Sequence, residues 1–337
     1  AMFLTNSANN VYGYRGAYNS TPATRITGTA SIGNIFDNSF SSDLDMYEIV
    51  VLDRKSTAAE DDQMGNYFAA KWDIPYINRD GVWDMSAGSF VQNAALTGAG
   101  TPDAVDTIFN ADGTKMILLS GNTDTVFEFT LSTAYDVSTL SYTGNSFDVG
   151  NEERLPQGIA SNEDGTIMYA CGILDDAVFQ YTLSTGFDLS TMSYASKSMD
   201  TSVNTPTCIG GTISSDGKEF YTVENAAGIR RYTLSTPWDI STGTYTSSYA
   251  TTGEDSTPYS VAVSPDGTQM LVLGRQNDNI YQYVLLTPWD ITTALYNNVV
   301  LPVGAQDGSM AGLFAQAEGT KLYTVSTATD NIYEYDI

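Results

Sequence analysis

Acidic side chains recur at equivalent places in this chain of 337 residues, each just ahead of a strand that is rich in aromatic residues. These residues are Asp124, Asp176, Asp278 and Asp330. Carboxylates that share one group of loops can hold Ca²⁺ or accept hydrogen bonds from sugar hydroxyls. The simplest interpretation is a solvated acidic rim, and binding of a cation or a sugar is the functional alternative.

A second group of acidic residues lies in the segments that join one repeat to the next, where Asp103 and Asp307 also fall. A tyrosine and an arginine near these segments are expected on the same face, with the tyrosine as a platform for a sugar ring. We therefore predict a ligand-binding site at Glu152, Glu153, Glu254, Asp255, Tyr259 and Arg275. In this hypothesis Glu153, Glu254 and Asp255 hold the hydroxyl groups.

The composition excludes several kinds of chemistry. The chain has no histidine, which removes imidazole metal sites and the serine-histidine-aspartate triad. Its 14 lysines and arginines against 40 aspartates and glutamates give a formal net charge of -26. Such a surface repels phosphate backbones and anionic lipid, and no apolar run is long enough to span a bilayer. We therefore expect neither nucleic-acid binding nor membrane insertion.

The elements that position these side chains come from an internal repeat. Asp-Gly pairs recur at steps of 52, 52 and 50 residues, with Glu-Gly 52 later, at Asp112-Gly113, Asp164-Gly165, Asp216-Gly217, Asp266-Gly267 and Glu318-Gly319. A period of this size, with strand-type composition and no helical pattern, predicts an all-β fold of the β-propeller type. In each repeat an Asp-Gly turn joins the first two strands, and a bend with an aromatic residue and an aspartate joins the last two.

The last repeat has only three strands and ends at Ile337 without a bend. A bend and a fourth strand occur ahead of the first full repeat, in residues 80–96. We therefore predict a five-bladed propeller whose last blade is closed by an N-terminal strand, because closure removes the sheet edge that an incomplete blade exposes. Completion of the ring by another chain is the alternative.

Two further sets of residues have predicted structural roles. The aspartates of the bends are expected to accept backbone N–H bonds inside the bend, at Asp84, Asp136, Asp188, Asp239 and Asp290. Cys171 and Cys208 fall on strands of successive repeats and are expected to be buried free thiols. The alternative, a disulfide, needs Cα atoms within about 7 Å of each other, which the sequence does not show.

A five-bladed ring also suggests glycosidases, which use a pair of carboxylates. Such enzymes place their acids on the innermost strands, and among the predicted first strands only Asp106 is acidic. One carboxylate cannot serve as both acid and base, so the sequence predicts that the protein is not an enzyme. A glycoside hydrolase or lyase is kept as the third hypothesis.

The repeats resemble propeller repeats with a T-P-W-D-I-S-T signature that occur in bacteriophage and marine bacterial surface proteins. The signature is best kept at 236–242 and 287–293, and the resemblance covers roughly residues 81–337. Residues 1–75 do not match the repeat. Their segments Asp45–Arg54 and Tyr67–Trp72, with a predicted capped helix between them, resemble the C-terminal end of a concanavalin-like (laminin-G-type) domain. The predicted domains are therefore 1–75, a partial jelly-roll segment ending in a helix, and 76–337, the propeller.

The repeat resemblance implies a surface recognition or display module, such as a phage tail appendage or an extracellular adhesin that binds host glycans. Its expected location is extracellular or on a virion surface, and its expected partner is a cell-surface glycan or a surface protein. The alternative function is a structural virion or matrix component that contacts protein neighbours. No cofactor is predicted, with Ca²⁺ at the four recurring aspartates as the one candidate ion. The sequence does not indicate an oligomeric state.

Overall fold

The computed structural model describes residues 83–99, 103–225 and 228–337. These residues form five four-stranded antiparallel sheets arranged as the blades of a propeller. The strands are β1 (Ser89–Ala95), β2 (Ala104–Phe109), β3 (Lys115–Ser120), β4 (Thr125–Leu131), β5 (Leu140–Asp148), β6 (Pro156–Ser161), β7 (Ile167–Gly172), β8 (Ala177–Leu183), β9 (Met192–Asp200), β10 (Cys208–Ile213), β11 (Glu219–Glu224), β12 (Gly228–Leu234), β13 (Gly243–Tyr249), β14 (Pro258–Val263), β15 (Gln269–Gly274), β16 (Asn279–Leu285), β17 (Ala294–Pro302), β18 (Met310–Ala315), β19 (Lys321–Ser326) and β20 (Asn331–Asp336).

The ring is closed by the chain itself, which confirms the five-bladed prediction. Blades one to four run in sequence order, and the fifth has the order β18-β19-β20-β1. In this blade β1 pairs antiparallel with β20, from Phe90 opposite Tyr335 to Ala95 opposite Asn331. The five first strands contact one another in a closed cycle around the central axis. The strand taken from the N-terminal side therefore covers the edge that β20 would otherwise expose.

Burial follows the position of a strand in its blade. The second strands are buried along nearly their whole length, because they pack between neighbouring blades on both faces. The fourth strands alternate between exposed and partly buried residues, as expected for the outer edge of a blade. Side chains of the second and third strands, both aliphatic and aromatic, thus supply most of the core.

The bends between third and fourth strands have one conformation throughout the ring. In each, an aspartate caps a 3-10 turn of three residues by accepting the backbone N–H of the second residue after it. This result confirms the predicted role of the bend aspartates. None of the helical segments in the described residues has the length and apolar character needed to cross a bilayer.

The aromatic residue of each bend lies across the Asp-Gly turn of its own blade, which explains why the two motifs occur together. Both glycines of the best-kept repeats have positive φ, +71° at Gly217 and +73° at Gly267. A Cβ atom would lie 2.3 Å from Trp238 Cδ2 at Gly217 and 2.4 Å from Trp289 Cδ2 at Gly267. Glycine is therefore required both for the backbone conformation and for the approach of the ring.

Replacement of Gly267 by alanine is expected to lower the free energy of unfolding by about 2–3 kcal/mol, because it adds left-handed strain and displaces Trp289. Chemical denaturation followed by near-UV circular dichroism measures the change. Gly253→Ala is the matched control, since a Cβ at Gly253 meets no atom within 4 Å. Equal stability of the two variants would contradict the packing role of the turn glycine.

Polar side chains of the third strands attach each blade to the bend of the next. At one interface Arg231 Nη1 lies 3.2 Å from Asp290 Oδ1. At the other four a carboxylate or amide oxygen accepts the first N–H of the neighbouring 3-10 turn at 2.9 to 3.2 Å, through the pairs Glu128 and Leu189, Gln180 and Ile240, Gln282 and Met85, and Glu334 and Val137. The bends are therefore contacts between blades.

The two cysteines are joined in a disulfide, which corrects the prediction of free thiols. Cys171 on β7 and Cys208 on β10 have Cα atoms 6.0 Å apart, within the range that a disulfide spans. The bond links the second blade to the third, and both residues are buried. The prediction was wrong because the two cysteines belong to different repeats, and only the packing of neighbouring blades brings them together.

The predicted jelly-roll segment and helix of residues 1–75, and the domain boundary after residue 75, lie outside the described residues. They stay predictions.

Candidate functional site at the channel mouth

The loops that join the blades and the loops between second and third strands lie on one face of the propeller, which we name the mouth face. A hydrogen bond connects the two kinds of loop in the same way in four blades. The carbonyl oxygen of the aspartate that opens the third strand accepts a backbone N–H at the end of the fourth strand at 2.8 to 2.9 Å, through the pairs Asp124 and Val149, Asp176 and Thr201, Asp278 and Val303, and Asp330 and Leu96. This arrangement confirms the prediction that the two sets of acidic residues share a face.

The four recurring aspartates have backbone roles in these loops. Each has positive φ, between 49° and 53°, which aspartate tolerates better than most residues. Each belongs to a different blade, and the structure does not bring them together at one point. Within the described ranges no group of three or more acidic or cysteine side chains is placed to hold a metal ion. Ca²⁺ binding at these residues stays a prediction.

Two of the six predicted ligand-binding residues are buried and bonded to the backbone. Glu153 Oε1 accepts N–H bonds from Leu155 and Leu174 at 3.1 and 3.3 Å. Asp255 Oδ1 accepts the N–H of Thr257 at 2.8 Å. Their side chains connect a blade-joining loop to its own blade, so a ligand that used them would have to break these bonds. Burial also raises the pKa of Glu153 above its usual value.

Glu152 and Glu254 lie one residue earlier in the same loops and have a different environment. Their carboxylates accept the hydroxyl groups of core tyrosines, Tyr181 for Glu152 at 3.4 Å and Tyr283 for Glu254 at 3.1 Å. Burial raises the pKa of Glu152. Both carboxylates are partly exposed, so they remain available to a ligand on the rim of the mouth face.

Below the mouth, the first strands approach one another at the level of their backbones. A Cβ at Gly158 would lie 2.8 Å from Gly210 Cα, and one at Gly312 would lie 2.6 Å from Asp106 Cα. Asp106 is buried in this ring, where it accepts the N–H of Thr107 and that of Ile159 in the next blade, both at 2.9 Å. The ring of first strands is therefore tightly packed at this level.

Tyr259 and Arg275 meet at the mouth of the channel, as the sequence predicted for a shared face. The guanidinium carbon of Arg275 lies 4.6 Å from the centroid of the Tyr259 ring, a cation–π contact. Arg275 Nη2 also donates to Thr327 Oγ1 of the fifth blade at 3.0 Å. In the described part of the chain Arg275 has no ion pair. Arg154, another arginine of the mouth face, forms an ion pair with Asp175. Arg275 thus keeps N–H donors for a ligand.

Two residues at the mouth were missed by the sequence analysis. Tyr259 donates its hydroxyl to Gln157 Oε1 at 3.0 Å, and this bond reaches from the fourth blade to the second. Gln157 stands at the second position of β6, as Tyr259 does in β14. Because the two positions are equivalent in the repeat, the sequence could have indicated that Gln157 lies on the same face as Tyr259. Thr327, the acceptor for Arg275, gave no signal, because threonines are common throughout the loops.

No protein-family model matches the chain, and no curated protein matches it. Solved propellers do. A candidate 6-phosphogluconolactonase from Bacteroides fragilis has a TM-score of 0.42 at 19% identity over 59% of this chain and 55% of its own. A second from Bacteroides uniformis has a TM-score of 0.42 at 15% identity over 67% and 64%. The β-propeller domain of Cps50 (Swd1) from Myceliophteria thermophila has a TM-score of 0.42 at 10% identity over 74% and 99%.

These similarities are similarities of fold. The matched region spans less than two thirds of either Bacteroides protein. The prediction that this protein is not an enzyme was wrong to exclude catalysis, because two of the propellers that share the fold are named as candidate 6-phosphogluconolactonases. The argument from the single acidic residue Asp106 was wrong because it considered only one enzyme class, which needs two inward carboxylates. At these identities the activity of the Bacteroides proteins is not transferred to this chain.

Proposed function

We propose that the propeller recognises a glycan at the channel mouth, with Arg275 as the main contact. The observation that carries the proposal is the guanidinium stacked 4.6 Å above Tyr259 without an ion pair in the described residues. A guanidinium held in this way donates several N–H bonds with little loss of side-chain entropy on binding, because its position is already fixed. Hydroxyl groups of a sugar are suitable acceptors.

The geometry changes the part that Tyr259 plays in this proposal. One face of its ring is covered by Arg275, so we assign the ring to positioning the guanidinium rather than to stacking on the sugar. Glu152 and Glu254 lie on the rim of the same face, and their carboxylates offer acceptors for the outer parts of a longer glycan. Glu153 and Asp255, which are already bonded to backbone amides, are left out of the direct contacts.

An extracellular or virion-surface location is part of the proposal. The disulfide between Cys171 and Cys208 supports it, because such bonds persist in oxidising surroundings and are rare in the reducing cytosol. The net charge of -26 also suits a protein that remains soluble outside the cell.

The test is a glycan array probed with the purified chain in buffer containing calcium and, separately, a chelator. We expect selective binding, and Arg275→Ala is expected to weaken the affinity for the best glycan by at least about tenfold, the effect of losing a bond to a charged group. Arg154→Ala is the matched control, since Arg154 is an exposed arginine of the same face whose ion pair is with Asp175. If no glycan on the array bound the protein under either condition, the proposal of glycan recognition would be contradicted.

A second candidate function is contact with a protein neighbour. Two apolar side chains of the mouth face are exposed, Leu174 by 50% and Val203 by 87%. Their loops are joined by the hydrogen bond from Thr201 N to Asp176 O, so both belong to the same part of the second blade. Exposed apolar residues on these loops favour a protein partner, because apolar side chains gain from burial against another protein surface. A blank glycan array would favour this alternative.

A further inference from the structure

The loop after the second strand of each blade begins at an equivalent place on the mouth face. In four blades the backbone N–H of its first residue donates to the carbonyl oxygen of the residue just before the first strand, at 3.0 to 3.2 Å. The first residues of the five loops are Gly121, Ile173, Asn225, Arg275 and Thr327. Of these five residues, all within the described ranges, only Arg275 is charged, so the fourth blade places a single cation in this group.

Arg275 differs from most basic residues in the described part of the chain. The four lysines there all form ion pairs with carboxylates, and so do Arg154 and Arg231. Arg275 forms none with the described residues, although the chain contains 40 aspartates and glutamates. Its guanidinium contacts two uncharged groups instead, the ring of Tyr259 at 4.6 Å and Thr327 Oγ1 at 3.0 Å. The fold thus positions a positive charge that no described carboxylate neutralises by direct contact.

The first strands beside Arg275 supply no counter-ion either. Tyr259 stands at the second position of its strand, and the residues at this position in all five first strands are uncharged, namely Val105, Gln157, Ile209, Tyr259 and Ala311. Arg275 and Tyr259 are both partly buried. Because partial burial lowers the effective dielectric constant, an anion in contact with this guanidinium gains more than it would at a fully exposed arginine.

Carboxylates farther away limit the charge that a ligand can carry. Burial raises the pKa of Asp103 and that of Asp278, and the positive charge of Arg275 lowers both. The field of Arg275 therefore reaches these two carboxylates although it forms no ion pair with them. The net charge of -26 also repels a polyanion. One negative group in contact with the guanidinium gains the attraction, whereas further negative groups on the ligand meet carboxylates, so a singly charged ligand is favoured.

We propose that the glycan bound at the mouth presents a single carboxylate to Arg275, which makes the ligand an acidic sugar of the uronic acid class. This inference rests on the proposed function, since it specifies the ligand of the same site. The two oxygens of a carboxylate match the N–H groups of a guanidinium, and bonds between charged partners are about twice as strong as neutral ones. Tyr259 and Thr327 hold the guanidinium in place for this contact.

Saturation-transfer NMR titrations with matched sugars test the inference on the whole chain. The probes are methyl glucuronide and methyl galacturonide against methyl glucoside and methyl galactoside, which carry a hydroxymethyl group in place of the carboxylate. We expect the acidic member of each pair to bind at least about tenfold more tightly, because its bonds to Arg275 join two charged groups.

Two variants of Arg275 separate its charge from its place in the fold. Arg275→Gln keeps N–H donors but loses the charge, so it is expected to bring the two members of each pair within about twofold of each other. Arg275→Lys keeps the charge without the planar arrangement of donors and should retain part of the preference. Arg154→Gln is the matched control, because Arg154 pairs with Asp175 on the same face, and it should leave the preference unchanged.

The outcomes distinguish this inference from the proposed function. Equal or tighter binding of the uncharged sugars by the unmodified protein overturns the inference, and the proposed function stands if Arg275→Ala still weakens binding to the best glycan of the array. A preference that Arg275→Gln retains overturns the assignment of Arg275. If none of the four sugars binds, the inference is overturned, and a blank array in addition overturns the proposed function.

Discussion

Replacing both cysteines with alanine lowers the free energy of unfolding by about 3–4 kcal/mol. The disulfide closes a loop of sequence separation 37, and the chain-entropy model assigns a loop of that size a stabilisation of this order. Both residues are also buried between the second and third blades, where alanine fills less space. Guanidinium denaturation of the Cys171→Ala/Cys208→Ala variant, followed by near-UV circular dichroism, measures the loss.

Reduction of the unmodified protein provides the control for this prediction. A phosphine reductant should lower the stability of the unmodified protein towards that of the double variant, and it should leave the variant unaffected. A thiol assay under denaturing conditions, without reductant, should detect no free thiol in the unmodified protein. The prediction would be contradicted if the assay detected two thiols and the reductant left the denaturation curve unchanged. The two cysteines would then not be bonded in solution.

The disulfide illustrates which features of this fold the sequence could predict. The blade count followed from local signals, namely Asp-Gly turns and aromatic bends, whose geometry depends on a few consecutive residues. The closing strand could be predicted by counting the strands of each repeat, since the last repeat lacks a fourth strand and residues 80–96 supply one. Contacts between blades have no such local signal. Cys171 and Cys208, like Gln180 and Ile240, become neighbours only when two repeats are packed side by side.

The same limit applies to the candidate site. The sequence placed Tyr259 and Arg275 on one face because the start of a first strand and the loop after a second strand have regular positions in a blade. The sequence did not indicate that Glu153 and Glu152 have different environments. The carboxylate of Glu153 is buried against backbone amides, whereas that of Glu152 reaches the rim. The sequence analysis also missed Gln157, whose partner Tyr259 lies across the channel. Residues two blades apart approach one another only because the ring is closed.

Stability is expected to fall as the pH rises from 5 to 7.5, and Asp106 is the expected cause. Burial between the first strands raises the pKa of this carboxyl group to about 8 from 3.8. The backbone N–H groups of Ile159, Thr107 and Leu313 act in the opposite direction but do not offset the loss of solvation. Between these two pKa values the folded state holds a proton that the unfolded state has released.

The sign and size follow from proton linkage. Because the folded state binds one more proton in this interval, the free energy of unfolding decreases by about 1.4 kcal/mol for each pH unit. From pH 5 to 7.5 the decrease amounts to about 3 kcal/mol. The chain has no histidine, so no side chain with an ordinary pKa titrates in this range to obscure the effect. Glu153, whose pKa is also raised by burial, contributes in the same direction.

The variant Asp106→Asn separates the contribution of Asp106 to the pH dependence of stability from that of Glu153. The amide keeps an oxygen that can accept an N–H bond from Ile159 or Thr107 but carries no titrating proton, so the variant should lose most of the dependence on pH. Denaturation of both proteins at pH 5, 6, 7 and 7.5 gives the two slopes. If the unmodified protein is equally stable across this range, the three N–H groups hold Asp106 ionised in the folded state. Their hydrogen bonds would then outweigh the cost of burial, and Asp106 would be a fixed negative charge whose field reaches Tyr259.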